Sequence, residues 1–229
     1  MKLGIMQPYF LPYLGYWQLM NAVDTYIVYD DVTYIKGGWI NRNNFLVQGK
    51  AKLFTFSLEN AGSYKLINEI AIKDDFSNFR KLLQFNYAKA PFYKECCELA
   101  EKIISYDKGN LGKFLYNSIQ VVADYLDFKT KILLSSEIEK DNQLKGKDKV
   151  IHICKVFGAD EYYNAIGGQE LYDKKEFADN GIKLSFLKTN ITPYKQLKNE
   201  FVSGLSIMDI LMFNSKENIK EMLNDFELV

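Results

Sequence analysis

The chain has 229 residues, of which 48% are hydrophobic and 25% charged, as is usual for a globular protein. Its 29 Lys and Arg side chains balance 29 Asp and Glu side chains, which argues against duplex nucleic acid as a partner. No stretch approaches about 18 consecutive apolar residues, and the first residues do not follow a signal-peptide pattern. We therefore expect no membrane span and a cytoplasmic location.

The cysteines and the histidine give no sign of a metal centre. Cys96, Cys97 and Cys154 have neither a disulfide-framework spacing nor a zinc-binding one, so we expect reduced thiols that serve packing. The single histidine, His152, lies in an amphipathic helical pattern, where a structural role is expected. Neither zinc nor haem is expected as a cofactor.

The first thirty residues predict a strand, a helix and a second strand. Residues 2–6 are apolar and suit a buried strand, and Pro12 can open a helix because its missing N–H is not needed there. Residues 25–30 are β-branched and aromatic, which favours a second strand. A helix between two strands predicts a βαβ unit, hence a parallel pair.

The remaining pattern extends this unit into an α/β fold. Strands are predicted at 52–58, 67–72, 130–135, 161–165 and 182–187, with the first two as a hairpin. Helices are predicted at three places within 76–126, then at 148–157, at 169–179 and twice within 205–226. We predict a single α/β domain over 1–229 with a mostly parallel, Rossmann-like sheet and a helical insertion at 76–126.

The loop after the first strand is a candidate ligand site. Ligands in open α/β sheets bind at the carboxyl ends of strands, and the loop Gln7–Leu11 starts there. Pro8 and Pro12 stiffen this loop, which lowers the entropy lost when a ligand binds. The helix start that follows favours a phosphate or another anion, and Gly15 would let a ligand approach closely.

The second strand predicts polar groups at the same edge. Asp30 and Asp31 can hold a divalent cation, or a substrate amine or hydroxyl. A polar, glycine-containing segment follows, and its candidate site residues are Tyr34, Lys36, Asn41, Arg42 and Asn43. Explanations without a ligand remain open. The prolines can simply form a turn, the two aspartates can be a helix cap or a solvated strand end, and Lys36 and Arg42 can be surface charges.

The N-terminal run resembles the WbqC-like family. The matching residues are 6–43 (MQPYFLPYLGYWQLMNAVDTYIVYDDVTYIKGGWINRN), with supporting segments at 149–186 and 205–214. The resemblance covers nearly the whole chain. It implies a context of bacterial surface-polysaccharide biosynthesis, such as O-antigen and lipopolysaccharide, and of amino-sugar gene clusters.

A second resemblance, at the level of the fold, is to the nucleotidylyltransferase superfamily. Residues 10–16 (FLPYLGY) look like its strand–loop–helix signature, in which an H-x-G-H motif binds ATP phosphates. The corresponding residues here are Tyr13-Leu14-Gly15-Tyr16, so the glycine is kept and both histidines are replaced. A tyrosine hydroxyl brings no cation at neutral pH, so Lys36 or Arg42 would have to supply the positive charge.

These resemblances imply an enzyme that acylates or aminoacylates the amino group of a nucleotide-linked amino sugar. The donor would be a carboxylate activated by ATP with Mg²⁺, or a preformed thioester such as acyl-CoA. In this reading Asp30 and Asp31 hold Mg²⁺ or take the amine proton, and Lys36 stabilises phosphate charge. The expected substrate- or nucleotide-binding residues are Gln7, Pro8, Tyr9, Tyr13, Gly15, Tyr16, Tyr34, Asn41, Arg42 and Asn43. A nucleotidylyltransferase and a non-catalytic sugar-binding or scaffold protein are the alternatives.

Overall fold

The computed structural model describes residues 1–198 and 200–229 and shows the predicted βαβ unit at the N-terminus. Strand β1 spans Lys2–Met6, helix α1 spans Leu14–Asn21, and strand β2 spans Thr25–Val28. The two strands are parallel, with Leu3 opposite Thr25 and Met6 opposite Val28. Apolar residues on both faces of these strands explain their place at the centre of a covered sheet.

A long excursion separates β2 from the strand beside it. It contains β3 (Arg42–Val47), β4 (Lys50–Thr55), β5 (Leu58–Glu59), β6 (Ala71–Ile72), α2 (Ser77–Tyr87), α3 (Tyr93–Ile104) and α4 (Leu111–Tyr125). Strands β3 and β4 form an antiparallel hairpin, and β5 pairs with β6. The insertion therefore begins well before residue 76 and includes strands as well as the three predicted helices.

The last third of the chain completes the main sheet. Its elements are β7 (Lys131–Leu134), α5 (Gly146–Val156), β8 (Glu161–Ala165), α6 (Lys174–Asp179), β9 (Lys183–Thr189), α7 (Ile207–Phe213), α8 (Lys216–Asn224) and β10 (Phe226–Leu228). Side-chain oxygens of Asp173, Ser206 and Ser215 cap the starts of α6, α7 and α8.

The main sheet has the order β10-β9-β8-β1-β2-β7. All neighbours are parallel except β10, which pairs antiparallel with β9 at the edge. The chain moves outward from β1 through β2 to β7, then returns to β8 on the other side of β1. The predicted class, a mostly parallel Rossmann-like α/β fold, is confirmed.

Three local predictions were wrong. Residues 67–72 are not one strand, because Ile67–Glu69 form a 3₁₀ turn before the two-residue β6. The predicted hairpin is divided, since β4 pairs with β3 and only Leu58–Glu59 pair with Ala71–Ile72. Residues 169–179 are not one helix, because a 3₁₀ segment ends at Glu170 and α6 begins only at Lys174.

Two apolar clusters pack on the sheet, and the larger includes the inserted helices. Cys96 lies in the larger cluster and Cys154 in the smaller, and burial raises the pKa of each thiol to about 12, which suits the predicted packing role. No helix in the described part of the chain is long and apolar enough to cross a membrane.

Candidate functional site

A cleft with two chambers lies at the carboxyl ends of β1, β2 and β7. The polar chamber has a volume of about 670 Å³, and its lining includes Gln7, Asp31, Asn68, Ser136, Lys145 and Lys149. The apolar chamber has a volume of about 440 Å³, and its lining includes Met6, Gln7, Tyr9, Tyr13, Trp39 and Asn43. Gln7 and Ile35 line both chambers, so the two spaces adjoin. This is the edge at which the sequence predicted a site.

The first loop is held in place from several sides. Phe10 is fully buried, and its ring lies 5.2–6.4 Å from the rings of five other phenylalanines. Leu11 adopts a left-handed backbone with φ of 46°, which a non-glycine residue keeps only when its surroundings fix it. The Asn43 side chain donates to the carbonyls of Phe10 (3.0 Å) and Leu11 (2.6 Å). Buried Pro8 and Pro12 thus belong to a preordered loop.

The start of α1 is covered by protein rather than open to a ligand. Tyr13 forms a β-bridge with Ser206, and the Pro12 carbonyl accepts the Ile207 N–H (2.9 Å). A side chain at Gly15 would place its Cβ 2.3 Å from Thr189 Oγ1 and 2.4 Å from the Tyr13 hydroxyl. The close approach that requires Gly15 is therefore made by neighbouring side chains of the protein itself.

The two candidate tyrosines of this motif have different environments. Tyr13 lines the apolar chamber, whereas Tyr16 is 1% exposed and packs edge-on against Tyr26 with ring centroids 5.4 Å apart. Burial raises the pKa of Tyr16 above its ordinary value. Tyr16 belongs to the core, so its hydroxyl is not accessible to a nucleotide, contrary to the prediction.

Asp30 points away from the cleft into a structural contact. Its carboxylate accepts the Ser136 N–H (2.9 Å) and the Ser136 hydroxyl (2.6 Å), and the residue is 1% exposed. Helix α4 approaches it closely at Gly112, where an added Cβ would lie 3.0 Å from the Asp30 Cβ. Burial raises the pKa of this carboxyl, although the Ser136 bonds oppose the change. Asp30 fastens β2 to the turn after β7.

Asp31 carries the charge of the polar chamber. The ammonium groups of Lys140 and Lys149 each lie 2.9 Å from its Oδ2 atom. Burial alone would raise the pKa of Asp31, but the nearby Ser135 side chain and the ammonium groups of Lys149 and Lys140 together hold it below the ordinary value. Asp31 is thus an ionised carboxylate and a weak base, and its charge is shared by two ammonium groups.

The two aspartates do not fit a divalent cation. Asp30 spends its oxygens on Ser136, and two ammonium groups already occupy the neighbourhood of Asp31. A cation would need several free oxygen ligands and would be repelled by both lysines. Among residues 1–198 and 200–229, no group of three or more His, Cys, Asp or Glu side chains is placed to bind a metal.

Four further candidates lie outside both chambers. Lys36 is exposed on the turn before β3, and Arg42 is half-buried at the start of β3. Tyr34 donates its hydroxyl hydrogen to Asn41 (3.0 Å), and Asn41 donates to the Phe56 carbonyl (2.6 Å). Tyr34 and Asn41 hold the insertion to the turn after β2, and the side chains of Lys36 and Arg42 line neither chamber.

Helix α5 and the segment before it contribute groups that were not predicted from the sequence. Lys149 and Lys145 line the polar chamber together with Tyr29, Asn68 and Ser136. His152 has the predicted structural role: its Nε2 accepts the Asp141 N–H (3.1 Å) and fastens the segment that follows Lys140. The strand predicted at 130–135 could have indicated these groups, because the segment that follows it starts at the carboxyl edge of the sheet. That indication also required knowing that this strand, β7, lies beside β2.

A second cavity of about 650 Å³ lies at the opposite end of the sheet. It is lined in part by Asp24 and Thr130, which precede β2 and β7, and by Asp127 and Lys220, which pair at 3.1 Å. It lies at the amino ends of these strands, where α/β sheets rarely bind ligands.

Comparison with known proteins agrees with the N-terminal resemblance. The model of the WbqC-like protein family matches residues 7–221, which is nearly the entire chain. The chain belongs to the WbqC-like protein family. This WbqC-like chain is 26% identical over 216 residues to an uncharacterized protein, Rv1507c, of Mycobacterium tuberculosis, with 92% of each chain covered. No solved structure matches it.

Proposed function

We propose that this WbqC-like protein transfers an acyl or aminoacyl group to the amino group of a nucleotide-linked amino sugar for a bacterial surface polysaccharide. The observation that carries the proposal is the pair of adjoining chambers, one lined by both charged and apolar side chains and the other mainly by apolar ones. A transfer reaction must hold two reactants side by side, and correct placement alone lowers the barrier by several kcal/mol. The position of the cleft supports the same proposal, because the cleft lies at the carboxyl edge of a Rossmann-like sheet, where such folds bind ligands.

The polar chamber suits the sugar. Asp31 and Asn68 offer acceptors and donors for hydroxyl and amino groups, and Gln7 lies where the two chambers meet. The neutral amine attacks the acyl carbonyl, the bond from that carbonyl to the thiolate or the nucleotide phosphate breaks, and the proton lost by the nitrogen passes to the departing group or to water. Asp31 is a weak base whose Oδ2 already contacts both lysines, so its role is to fix the charge at the chamber wall. The sugar amine reacts in its neutral form, which is partly populated near pH 7.5 if its pKa is about 8, as for an α-amino group.

The apolar chamber suits the acyl group. Its lining includes Met6, Tyr9 and Ile40, with the half-exposed side chains of Ile35 and Trp39 at its mouth. An aliphatic or aromatic acyl group would bury apolar surface there. The donor is either a thioester such as acyl-CoA or a carboxylate activated by ATP, whose Mg²⁺ would arrive with the nucleotide phosphates. Three free cysteines fit a reducing, cytoplasmic location for this step.

The test is a product assay by mass spectrometry. Nucleotide-linked amino sugars are incubated with acyl-CoA donors, or with a carboxylic or amino acid plus ATP and Mg²⁺. The expected product is heavier than the sugar by the acyl group less one hydrogen, and a sugar whose amine is already acylated gives none. Release of pyrophosphate from a nucleoside triphosphate and a sugar phosphate would instead indicate a nucleotidylyltransferase. Tight sugar binding with no product from any donor would indicate a binding protein.

A matched pair of variants ties the activity to the cleft. Gln7→Ala removes the amide that lines both chambers, and we expect the rate to fall at least tenfold. Gln143→Ala changes an exposed glutamine of the segment before α5 and should leave the rate unchanged. Equal rates for both variants would place the reaction elsewhere.

A further inference from the structure

Two buried ammonium groups surround Asp31 at the wall of the polar chamber. The side chains of Lys140 and Lys149 are 1% and 8% exposed, and both pair with the single carboxylate of Asp31. The neighbouring Asp30 uses its oxygens on Ser136. A buried ammonium group is costly unless its charge and its hydrogens are matched. The chamber therefore favours an additional anion.

The two lysines are not equivalent. Lys140 places its ammonium group among Asp31, the Ser135 carbonyl and the Ile138 carbonyl, which uses its three hydrogens within the protein. Lys149 bonds only Asp31, through the carboxylate (2.9 Å) and the backbone carbonyl (3.3 Å), while its ammonium group lies 5.3 Å from the Tyr29 ring centre. Lys149 also lines the chamber, so its remaining hydrogen is the one available to a ligand.

The start of α5 adds donors at the same wall. Lys145 and Gly146 line the chamber, and Lys145 occupies the cap position without a side-chain capping bond. The first N–H groups of a helix favour an anion, and a lysine at that position opposes the helix dipole unless an anion lies beside it. Asp148, also in this first turn, is exposed and is absent from the chamber lining.

We infer that the polar chamber binds the phosphoryl groups of the nucleotide-linked substrate between Lys149, Lys145 and the first turn of α5. This inference rests on the proposed function for the identity of the ligand, but the binding of a diphosphate can be tested without it. Asp31 acts as a positioning residue here, because it fixes the ammonium group of Lys149 at the chamber wall. The expected phosphate site therefore lies after β7, rather than at the start of α1.

The experiment is titration calorimetry with inorganic pyrophosphate and with uridine diphosphate. We expect Lys149→Met to weaken the binding of both at least tenfold and Lys145→Gln to weaken it severalfold. Lys147→Gln is the matched control, because Lys147 lies two residues from both Lys145 and Lys149 but pairs with Glu176 (2.7 Å) outside the chamber. Its affinity should equal that of the unmodified protein. Binding should also weaken as salt is added.

Two results would overturn the inference: no binding of either diphosphate by the unmodified protein, or equal affinity in Lys145→Gln and the unmodified protein. Lys149→Met keeps the pair of Asp31 with Lys140, and a thermal melt checks that it is folded. If it is not, Lys145→Gln alone decides, since that side chain is exposed. If only the proposed function is wrong, the result is different: the affinity for diphosphate still falls in the lysine variants, but no acylated sugar forms.

Discussion

At the scale of single residues, Asn43 both lines the apolar chamber and supports the first loop. It is 2% exposed and satisfies two carbonyls of the first loop, next to the left-handed Leu11. Sequence alone could not reveal this role, because a polar asparagine in an Arg-Asn-Asn run is typical of a loop. The buried side of β3 at this position became visible only in the structure.

Replacing Asn43 should weaken the fold and loosen the first loop. Asn43→Ala leaves two buried carbonyls without their donor, and we expect unfolding to become easier by about 1–3 kcal/mol. Urea denaturation measures the change. Asn44→Ala, at the next and half-buried position, should have a clearly smaller effect. Equal losses in the two variants would refute the assigned role.

The charge cluster predicts a pH dependence. Asp31→Asn leaves two buried ammonium groups without a carboxylate, which should cost about 3–5 kcal/mol at neutral pH. Since the pKa of Asp31 is lowered in the folded protein, its stabilising effect is complete above the ordinary carboxyl pKa of 3.8 and is lost as pH falls through the folded value.

Denaturation at several pH values measures this dependence. The stability gap between the protein and Asp31→Asn should be widest near neutrality and should close below pH 3.8. Asp127→Asn serves as the control, because Asp127 forms an exposed pair with Lys220 and should matter little. A gap that widens in acid would contradict the ion-pair assignment.

At the scale of elements, the first loop joins the central sheet to the insertion. Phe10 extends from the loop after β1 into a cluster formed by Phe54, Phe56, Phe76, Phe79 and Phe114. The cleft lies between these two parts of the fold, since residues of the sheet and of the segment 32–43 line it. Phe10 therefore positions the wall that carries Gln7 and Tyr9.

Removing the Phe10 ring should uncouple the loop from the insertion. Phe10→Ala is expected to cost about 3–5 kcal/mol and to speed hydrogen exchange in residues 7–12. Phe85→Ala on α2 is the control, because that ring is 79% exposed and should contribute little. Unchanged exchange in residues 7–12 would show that the loop is held without Phe10.

Some of these elements could be predicted from the sequence and others could not. The βαβ unit, the insertion helices and the carboxyl-edge location follow from periodicity and turn chemistry, which are local. Strand β3 was missed because Asn43 and Asn44 lower strand propensity, and β10 because it is a three-residue edge strand. The contribution of Lys149 depends on β7 lying beside β2, a contact between residues more than a hundred positions apart.

At the scale of the whole molecule, two cavities of similar volume lie at opposite ends of the main sheet. The carboxyl-end cleft combines buried charge, a preordered loop and an adjoining apolar chamber. The amino-end cavity is lined by residues such as Asp127 and Lys220, which pair with each other. The family match covers both ends and does not distinguish them. The chemical environment supports our proposal that the ligand binds at the carboxyl end.

Hydrogen exchange followed by mass spectrometry tests this assignment most directly. The protein is labelled with and without a saturating nucleotide-linked amino sugar. We predict slower exchange in residues 5–9, 29–36 and 136–149, which border the cleft, and no change in residues 21–24, 126–130 and 220–224. Protection confined to the second set, or a bound sugar that protects neither, would contradict the central claim that the carboxyl-end cleft is the functional site.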